Sequence, residues 1–207
     1  MTTISAPMMP TDVRVDPRGS TLARRQLVSS AVLGMLIFIA VELMFFAGLI
    51  SAFTIVKSTA VPGAWPPPGQ PRLPIEATAV TSVVLLASGA LAWLAWSTFQ
   101  KTASSSRVPR LLMGAALLGA LFVSVQGFEW VRLVGEGLTM RVSTYGSFFY
   151  MIVGAHALHA ACAIGALVWA WRSAVAGRLQ SQQLAAVLAL WTVVVALWPV
   201  LYVLVYL

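Results

Sequence analysis

The chain has 207 residues, of which 59% are hydrophobic and only 9% are charged, and its mean hydropathy is +0.88. A water-soluble domain could not carry this composition without exposing a very large apolar surface, so the sequence indicates a membrane protein that crosses the bilayer several times. The net charge of +7 does not point to nucleic acid, because Lys and Arg lie at the ends of apolar segments and not along one face. The single cysteine, Cys162, excludes an intrachain disulfide.

The first 26 residues are polar and rich in Thr, Ser, Pro and Arg, which predicts a flexible N-terminal arm. The arm and the apolar run after it do not fit a secretory signal. That run is too long for one, carries a carboxylate at its centre and leads into further apolar runs.

Five apolar segments follow the arm, and each is long enough to cross a bilayer as a helix of about 17–25 residues or more. We place them at residues 27–56, 75–99, 111–134, 145–171 and 184–207. The first connection carries the sequence WPPPG at 65–69, whose prolines cannot continue a helix. The predicted fold is therefore an all-α membrane protein, a bundle of five transmembrane helices.

Basic residues are divided unevenly between the two sides of this arrangement. Nine of the 13 Lys and Arg residues fall in the arm and in the second and fourth connections, which share one side of the membrane. Since loops rich in Lys and Arg stay in the cytoplasm, we expect a cytoplasmic N-terminus and a C-terminus outside. The sequence shows no internal repeat and no inverted pair of halves, which weighs against a transporter.

Glu42 lies near the middle of the first apolar segment, too deep for its side chain to reach either membrane surface. An ionised and unpaired carboxylate at that depth would cost several kcal/mol, so Glu42 is expected to be protonated, hydrogen-bonded or turned toward a polar partner. A ridge of small residues on the same segment predicts close contact with another helix: Ala47, Gly48 and Ser51.

Polar and aromatic residues also stand at helical spacing in the third and fifth segments. Gln126 and Glu129 are three positions apart and share a face, with Glu129 expected to be partly buried near the outer interface. An aromatic stripe in the last segment indicates packing, and it consists of Trp191, Trp198 and Tyr202.

The two histidines of the chain, His156 and His159, are three positions apart in the middle of the fourth segment. The simplest interpretation is a pair of neutral imidazoles hydrogen-bonded to a neighbouring helix, with Glu42 the expected partner. A metal site would need further donors, and only Glu42, Gln126 and Glu129 are plausible ones. Two histidines on one side of a helix also cannot bracket a single haem iron.

Several classes of cofactor site and catalytic site can be excluded. Two histidines are too few for a multi-haem cytochrome or for the haem-bearing core of an oxidase, and one cysteine cannot bind a dinuclear copper centre through paired thiolates. The sequence carries no phosphate-binding loop, no HExxH and no lysine inside an apolar segment. We therefore assign no catalytic residue and no metal ligand.

Four motifs resemble, in the same order, subunit III of the haem-copper terminal oxidases. They are VELMFFAGLISAF at 41–53, WPPPG at 65–69 with LLASG at 85–89, QGFEW at 126–130, and GSFFYMIVGAHALHA at 146–160. The resemblance covers residues 33–207 and is to the short form of the family, with five helices where the long form has seven. It makes residues 27–207 a subunit III-like domain.

The resemblance implies a non-catalytic subunit docked beside subunit I, with subunit II, in the bacterial cytoplasmic (inner) membrane. Haem and copper would belong to those partners. It also implies a V-shaped cleft that holds phospholipid, which we place between the first two helices and the remaining three. The candidate ligands for lipid phosphate are Arg132, Arg141 and Arg172. The implied role is to stabilise subunit I and sustain proton uptake, with Glu42 either proton-linked or structural.

The last segment departs from the family pattern. Thr192 stands where a His is usual and Val195 where an Asp is usual, which puts in doubt a polar network joining the last helix to its neighbours. The partner could then be an oxidase that takes electrons from cytochrome c or quinol, a larger supercomplex, or a nitric oxide reductase. The alternative from another class is a stand-alone transporter that uses Glu42 and the two histidines as an ion path.

Overall fold

A computed structural model describes residues 30–60, 73, 75–102, 106–141 and 143–206, with side chains described from residue 33 onward. The arm at residues 1–26 lies outside the described residues. The same is true of the WPPPG motif at 65–69.

Five helices make up the described part of the chain, and each is long and apolar enough to cross a membrane. They are α1 (Ser30–Thr59), α2 (Ile75–Lys101), α3 (Arg107–Gly135), α4 (Thr144–Val175) and α5 (Ser181–Leu201), which continues into a π-helical turn at Tyr202–Tyr206. No strand occurs within the described ranges. The five predicted transmembrane helices are confirmed, with ends that differ by about one helical turn at most. The orientation of the termini stays a prediction.

Short connections with defined backbone geometry join α3 to α4 and α4 to α5. Gly137 follows α3 with φ +96°, and Gly177 follows α4 with φ +64°, a left-handed conformation that other residues rarely adopt. Helix α4 begins after Ser143, whose side-chain oxygen accepts a hydrogen bond from the backbone N–H of Gly146 at 3.0 Å. Because these turns are tight, consecutive helices run antiparallel as neighbours.

Helices α2, α3, α4 and α5 form a ring around a common core. Helix α2 packs on α3, α3 on α4 and α4 on α5, and α5 closes the ring against α2. Its centre is filled by large side chains with almost no exposed surface, among them Leu112, Phe149, Leu167, Trp191 and Trp198. Helix α1 lies outside the ring and contacts α4 and α5.

The predicted cleft between the first two helices and the remaining three is wrong, because α2 packs more extensively on α3 than any other two of the described helices pack together. Small side chains let the two backbones approach closely. The hydroxyl of Ser88 donates a hydrogen bond to the carbonyl oxygen of Ala115 at 2.7 Å, which requires such an approach. Four alanines are buried along this hairpin: Ala92, Ala95, Ala115 and Ala116. The division in the bundle lies between α1 and the other four helices.

Helix α1 is attached through bulky side chains. Phe46 and Phe53 are the buried hydrophobic residues of its described part, whereas Met44 is 76% exposed. The predicted contact through small residues is wrong for this chain, because the three residues of that ridge are exposed: Ala47, Gly48 and Ser51. Most of α1 is therefore open to lipid or to another protein.

The Trp191 side chain of α5 reaches across the ring to α3 and sets a strict size limit at Gly119. A Cβ added there would lie 2.6 Å from Cη2 of Trp191, whose indole is fully buried. We expect Gly119→Ala to lower the free energy of unfolding by about 1–3 kcal/mol, the usual range for overpacking. The thermal unfolding midpoint of the detergent-solubilised chain measures this effect.

Gly127→Ala on the same helix is the matched control, because nothing lies within 4 Å of the Cβ that it would add. Alanine is the better helix former, so this variant should unfold at the same temperature or slightly higher. If Gly119→Ala and Gly127→Ala destabilised the chain equally, the effect at Gly119 could not be attributed to the contact with Trp191.

Candidate functional site

The polar residues inside the helices form two clusters. One lies where α1 meets α4 and α5, and it contains Glu42, His156 and His159. The other lies where α3 meets α2 and α5, and it is centred on Gln126. Glu129 does not join the histidines, because it lies 3.8 Å from the Arg132 guanidinium, one turn further along α3.

The contact between Glu42 and His159 links α1 to α4. Oε2 of Glu42 lies 2.7 Å from Nε2 of His159, and the two side chains are 17% and 22% exposed. The two atoms are in close polar contact, but their geometry is not that of an aligned hydrogen bond. The carboxylate that the first segment carries into the membrane thus meets a titratable partner on another helix.

Geometry also indicates how many hydrogens this pair holds. Nδ1 of His159 lies 2.7 Å from the carbonyl oxygen of Ala155, and since a carbonyl oxygen only accepts, Nδ1 carries a hydrogen. Two bare lone pairs would repel each other at the 2.7 Å that separates Nε2 from Glu42, so we infer one further hydrogen at that contact. It sits either on the carboxyl or on the ring. The pair is electrically neutral in both cases, which lowers the cost of burying it.

Aromatic rings surround the histidines. The Phe46 ring centroid lies 5.5 Å from that of His159 and 6.4 Å from that of His156, edge to face in both cases. Glu42 and Phe46 are four positions apart and share one face of α1, so the same turn supplies the charge contact and its apolar cover. On the other side, His156 packs 5.2 Å from the Trp198 ring.

His156 is 1% exposed, and neither of its ring nitrogens has a hydrogen-bond partner among the described residues. A cavity of about 10 Å³ lies beside the ring, lined also by Gln126 and Trp130. A space of this size can take about one water molecule. The cavity brings His156 next to the second polar cluster.

Gln126 ties α3 to α2 and to the end of α5. Its Nε2 donates to Oγ1 of Thr81 at 2.8 Å, and its Oε1 accepts a long hydrogen bond from the Tyr206 hydroxyl at 3.5 Å. The amide is 2% exposed, and it uses both its donor and its acceptor side between helices. In hydrocarbon, where water supplies no alternative, such bonds hold helices together.

Two hydroxyls of α2 receive these bonds because their own hydrogens are already used. Ser82 donates to the carbonyl oxygen of Thr78 at 2.7 Å, and its oxygen accepts from Nε1 of Trp198 at 2.7 Å. Thr81 donates to the carbonyl oxygen of Thr78 at 3.0 Å and accepts from Gln126. Each hydroxyl thus joins its own helix to a second helix. Sequence reasoning missed both, because a Ser or Thr that bonds to its own helix gives no sign that it needs a partner.

The network that was in doubt for α5 exists, but other residues form it. Thr192 is exposed, and Val195 lies with Cγ1 3.0 Å from the position that a Cβ on Gly89 would take. The hydrogen bonds come instead from Trp198, from Tyr206 and from Tyr202, whose hydroxyl donates to the carbonyl oxygen of Ile75 at 3.1 Å. Sequence reasoning assigned the aromatic stripe to packing alone and so missed these donors.

The three candidate lipid ligands are not brought together. Nε of Arg132 donates to Oε1 of Glu136 at 2.9 Å, at the same end of the bundle as the exposed Arg141. Arg172 is exposed in the last turn of α4, at the opposite end.

Within the described ranges, no group of three or more His, Cys, Asp or Glu side chains could hold a metal ion. The polar groups that are brought together can share a proton and join helices.

These features define a multi-pass membrane protein in which polar groups inside the helices contact and hydrogen-bond one another. The family model described as cytochrome c oxidase subunit III matches residues 20–207. The chain therefore belongs to the cytochrome c oxidase subunit III family, which confirms the resemblance seen in the motifs.

Relatives in bacteria and animals bear related names. The chain is 34% identical over 154 residues to a "Probable cytochrome c oxidase subunit 3" of Nocardia farcinica, covering 74% of this chain and 71% of the relative. It is 31% identical over 149 residues to "Cytochrome c oxidase subunit 3" of Corynebacterium diphtheriae, covering 72% and 70%. The protein of that name from Pongo pygmaeus is 34% identical over 131 residues, which are 61% of this chain and 48% of the relative.

The bond from Trp198 to Ser82 predicts a measurable coupling between α5 and α2. Ser82→Ala leaves the indole N–H of Trp198 unpaired beside a buried ring, and we expect it to lower the free energy of unfolding by about 1–2 kcal/mol. Ser97→Ala is the control on the same helix, because Ser97 donates only to the carbonyl oxygen of Leu94. Chemical unfolding in mixed micelles measures both.

A double-mutant cycle with Trp198→Phe isolates the bond itself. The two changes should be non-additive by about 0.6 kcal/mol, the average measured for bonds between helices in membranes, and by no more than about 1.7 kcal/mol. Additive changes would mean that the pair contributes nothing beyond packing.

Proposed function

We propose that this chain is the non-catalytic subunit III of a respiratory haem-copper oxidase in the bacterial cytoplasmic membrane. It stabilises the haem-bearing subunit I, is assembled with subunit II, binds phospholipid and sustains proton uptake. The observation that carries this proposal is the match of the subunit III family model to residues 20–207.

The names of the relatives favour cytochrome c over quinol as the electron donor of the assembly. The proteins from Nocardia farcinica, Corynebacterium diphtheriae and Pongo pygmaeus are all named for a cytochrome c oxidase. Electron transfer would take place on the partner subunits, which would hold the haem and copper. Membership of a larger supercomplex is compatible with this role.

The exposed face of α1 supports docking to subunit I. Transmembrane helices associate where small residues let their backbones approach, and the ridge of Ala47, Gly48 and Ser51 contacts no other helix of the described chain closely. A helix of subunit I placed on this ridge would bury it. That contact would explain why α1 carries small residues on a face that its own bundle does not use.

Co-purification tests the assignment directly. A tag on this chain, used to isolate complexes from native membranes in mild detergent, should recover haem absorbance and oxidase activity in the same particle. A haem-free particle would contradict the proposal and favour a stand-alone transporter. Gly48→Leu should lower the ratio of haem to tagged chain, whereas Gly127→Leu should not, although neither glycine has an atom of another helix within 4 Å.

The pair of Glu42 and His159 supports a link to proton uptake. The carboxyl and the imidazole are 2.7 Å apart and both partly exposed, a distance at which one hydrogen could be shared between them. A hydrogen can move between the two groups without changing the net charge of the pair, whereas uptake or release of a proton would change that charge by one. We also propose that Arg132, Arg141 and Arg172 bind the phosphate groups of lipids around the subunit.

Two substitutions at Glu42 separate a proton-linked role from a structural one. Because Nδ1 of His159 holds a hydrogen, Nε2 can accept one from a glutamine amide, so Glu42→Gln should fold with nearly the stability of the native chain. Glu42→Ala should lower the free energy of unfolding by about 1 kcal/mol. If Glu42 is proton-linked, both variants should shorten the active lifetime of the oxidase during sustained turnover.

The measurement is oxygen consumption followed over many turnovers, with the haem spectrum as a control for assembly. If Glu42→Gln kept the full active lifetime of the oxidase and only Glu42→Ala shortened it, the role of Glu42 would be structural. An oxidase without this chain that keeps its full lifetime would reject the functional role.

A further inference from the structure

Two side chains on neighbouring helices, His156 of α4 and Trp130 of α3, have buried nitrogens that form no hydrogen bond with the described residues. Both ring nitrogens of His156 are in this position, and so is Nε1 of Trp130. The Tyr206 hydroxyl lies close to the Trp130 indole without the geometry of a hydrogen bond. A buried polar group that is left unpaired lowers stability, and in native proteins such groups pair with the protein or with ordered water.

The small cavity beside His156 brings these nitrogens to one space. It measures about 10 Å³, close to the room that one water molecule needs. His156, Trp130 and Gln126 all line it, and its other lining residues are Phe122, Val123, Ala157 and Trp198. The water-sized space is therefore bordered by side chains from α3, α4 and α5, three of which have hydrogen-bonding capacity to spare.

A second cavity of about 10 Å³ lies on the other side of His156. Its further polar lining residues are Glu42 and His159, which already contact each other at 2.7 Å. The cavity toward Trp130 is thus the better candidate for a bound molecule.

The hydrogen-bonding capacities at the cavity toward Trp130 fit a water molecule. The indole N–H of Trp130 can only donate, so a ligand there has to accept. Oε1 of Gln126 has two lone pairs and accepts one long hydrogen bond, at 3.5 Å, so it can accept a second. A neutral His156 has one N–H and one bare nitrogen and can act in either role. Water accepts and donates at once, whereas a metal cation cannot accept the hydrogen of Trp130.

We propose that this cavity binds one structural water molecule, which accepts a hydrogen bond from Trp130 and joins it to His156 and Gln126. The water connects α3 to α4 in the interior of the ring, and it brings His156 into the polar cluster that is centred on Gln126. The site is built from this chain alone. Its failure would therefore leave the family assignment and the proposed oxidase role untouched.

Nuclear magnetic resonance of the full-length chain in lipid bilayers tests the site directly. Magnetisation from water should reach the carbon-bound hydrogens of the His156 ring, which do not themselves exchange with solvent, although this side chain is only 1% exposed. A native chain in which no magnetisation passes from water to the His156 ring would overturn the proposal.

Val123→Ile adds one methyl group to the cavity wall and should displace the water. The transfer from water to His156 should be lost, and the thermal unfolding midpoint of the detergent-solubilised chain should fall by about 2–4 °C, because buried polar groups lose their partner. Val131→Ile is the matched control on the same helix, since Val131 is 72% exposed and does not line the cavity. An unchanged or higher midpoint in Val123→Ile would indicate that the methyl group fills a dry space, and it would overturn the proposal.

Trp130→Phe distinguishes the loss of the water from simple crowding by the added methyl group. This variant already lacks one hydrogen-bond donor to the water, so Val123→Ile should lower its unfolding midpoint by less than it does in the native chain. Circular dichroism confirms that each variant is folded. An equal fall of the midpoint in the two backgrounds would assign the effect to crowding and count against the bound water.

Discussion

Hydrocarbon offers no hydrogen bonds, so the polar side chains that these helices carry across the membrane are stabilised by partners inside the protein. This constraint explains the arrangement of the ring of α2 to α5. Ser82 and Thr81 of α2 accept hydrogens from Trp198 of α5 and Gln126 of α3, and Ser88 donates to the backbone of α3 at Ala115. Each of these hydrogen bonds fixes the position of one helix against another at one level along the helix axis. Apolar packing then fills the space between them.

Helix α1 makes fewer contacts with its neighbours, but its carboxylate also has a partner on another helix. Its carboxylate, Glu42, meets His159, and Phe46 covers both histidines from the same face. The rest of the helix is largely exposed, with a small-residue ridge that faces away from the bundle. A helix held by one neutral pair and two phenylalanines can respond to a neighbouring subunit more readily than a helix of the ring. The contact between Glu42 and His159 is thus a polar attachment of α1 to α4.

The five helices could be predicted because their apolar runs are separated by clear breaks at Pro, Gly and Arg. The contact of Glu42 with His159, one of the two histidines predicted to be near it, could be expected from the scarcity of polar groups in the apolar segments. Helix pairing could not be predicted, since apolar faces look alike, and the cleft was therefore placed wrongly beside α2. The small ridge of α1 predicted a helix contact, but a sequence does not tell a contact within the chain from one with a partner. Ser82 stayed hidden because it also bonds to its own helix.

Nuclear magnetic resonance of nitrogen in the histidine rings would show whether Glu42 and His159 share a hydrogen. The chain has only two histidines, so the spectrum is simple to assign. We expect Nδ1 of His159 to carry a hydrogen. We also expect its Nε2 to couple through space to the Glu42 carboxyl carbon and to shift in Glu42→Gln while His156 barely changes. A bare Nδ1 on His159, or no coupling to that carboxyl carbon, would contradict these expectations.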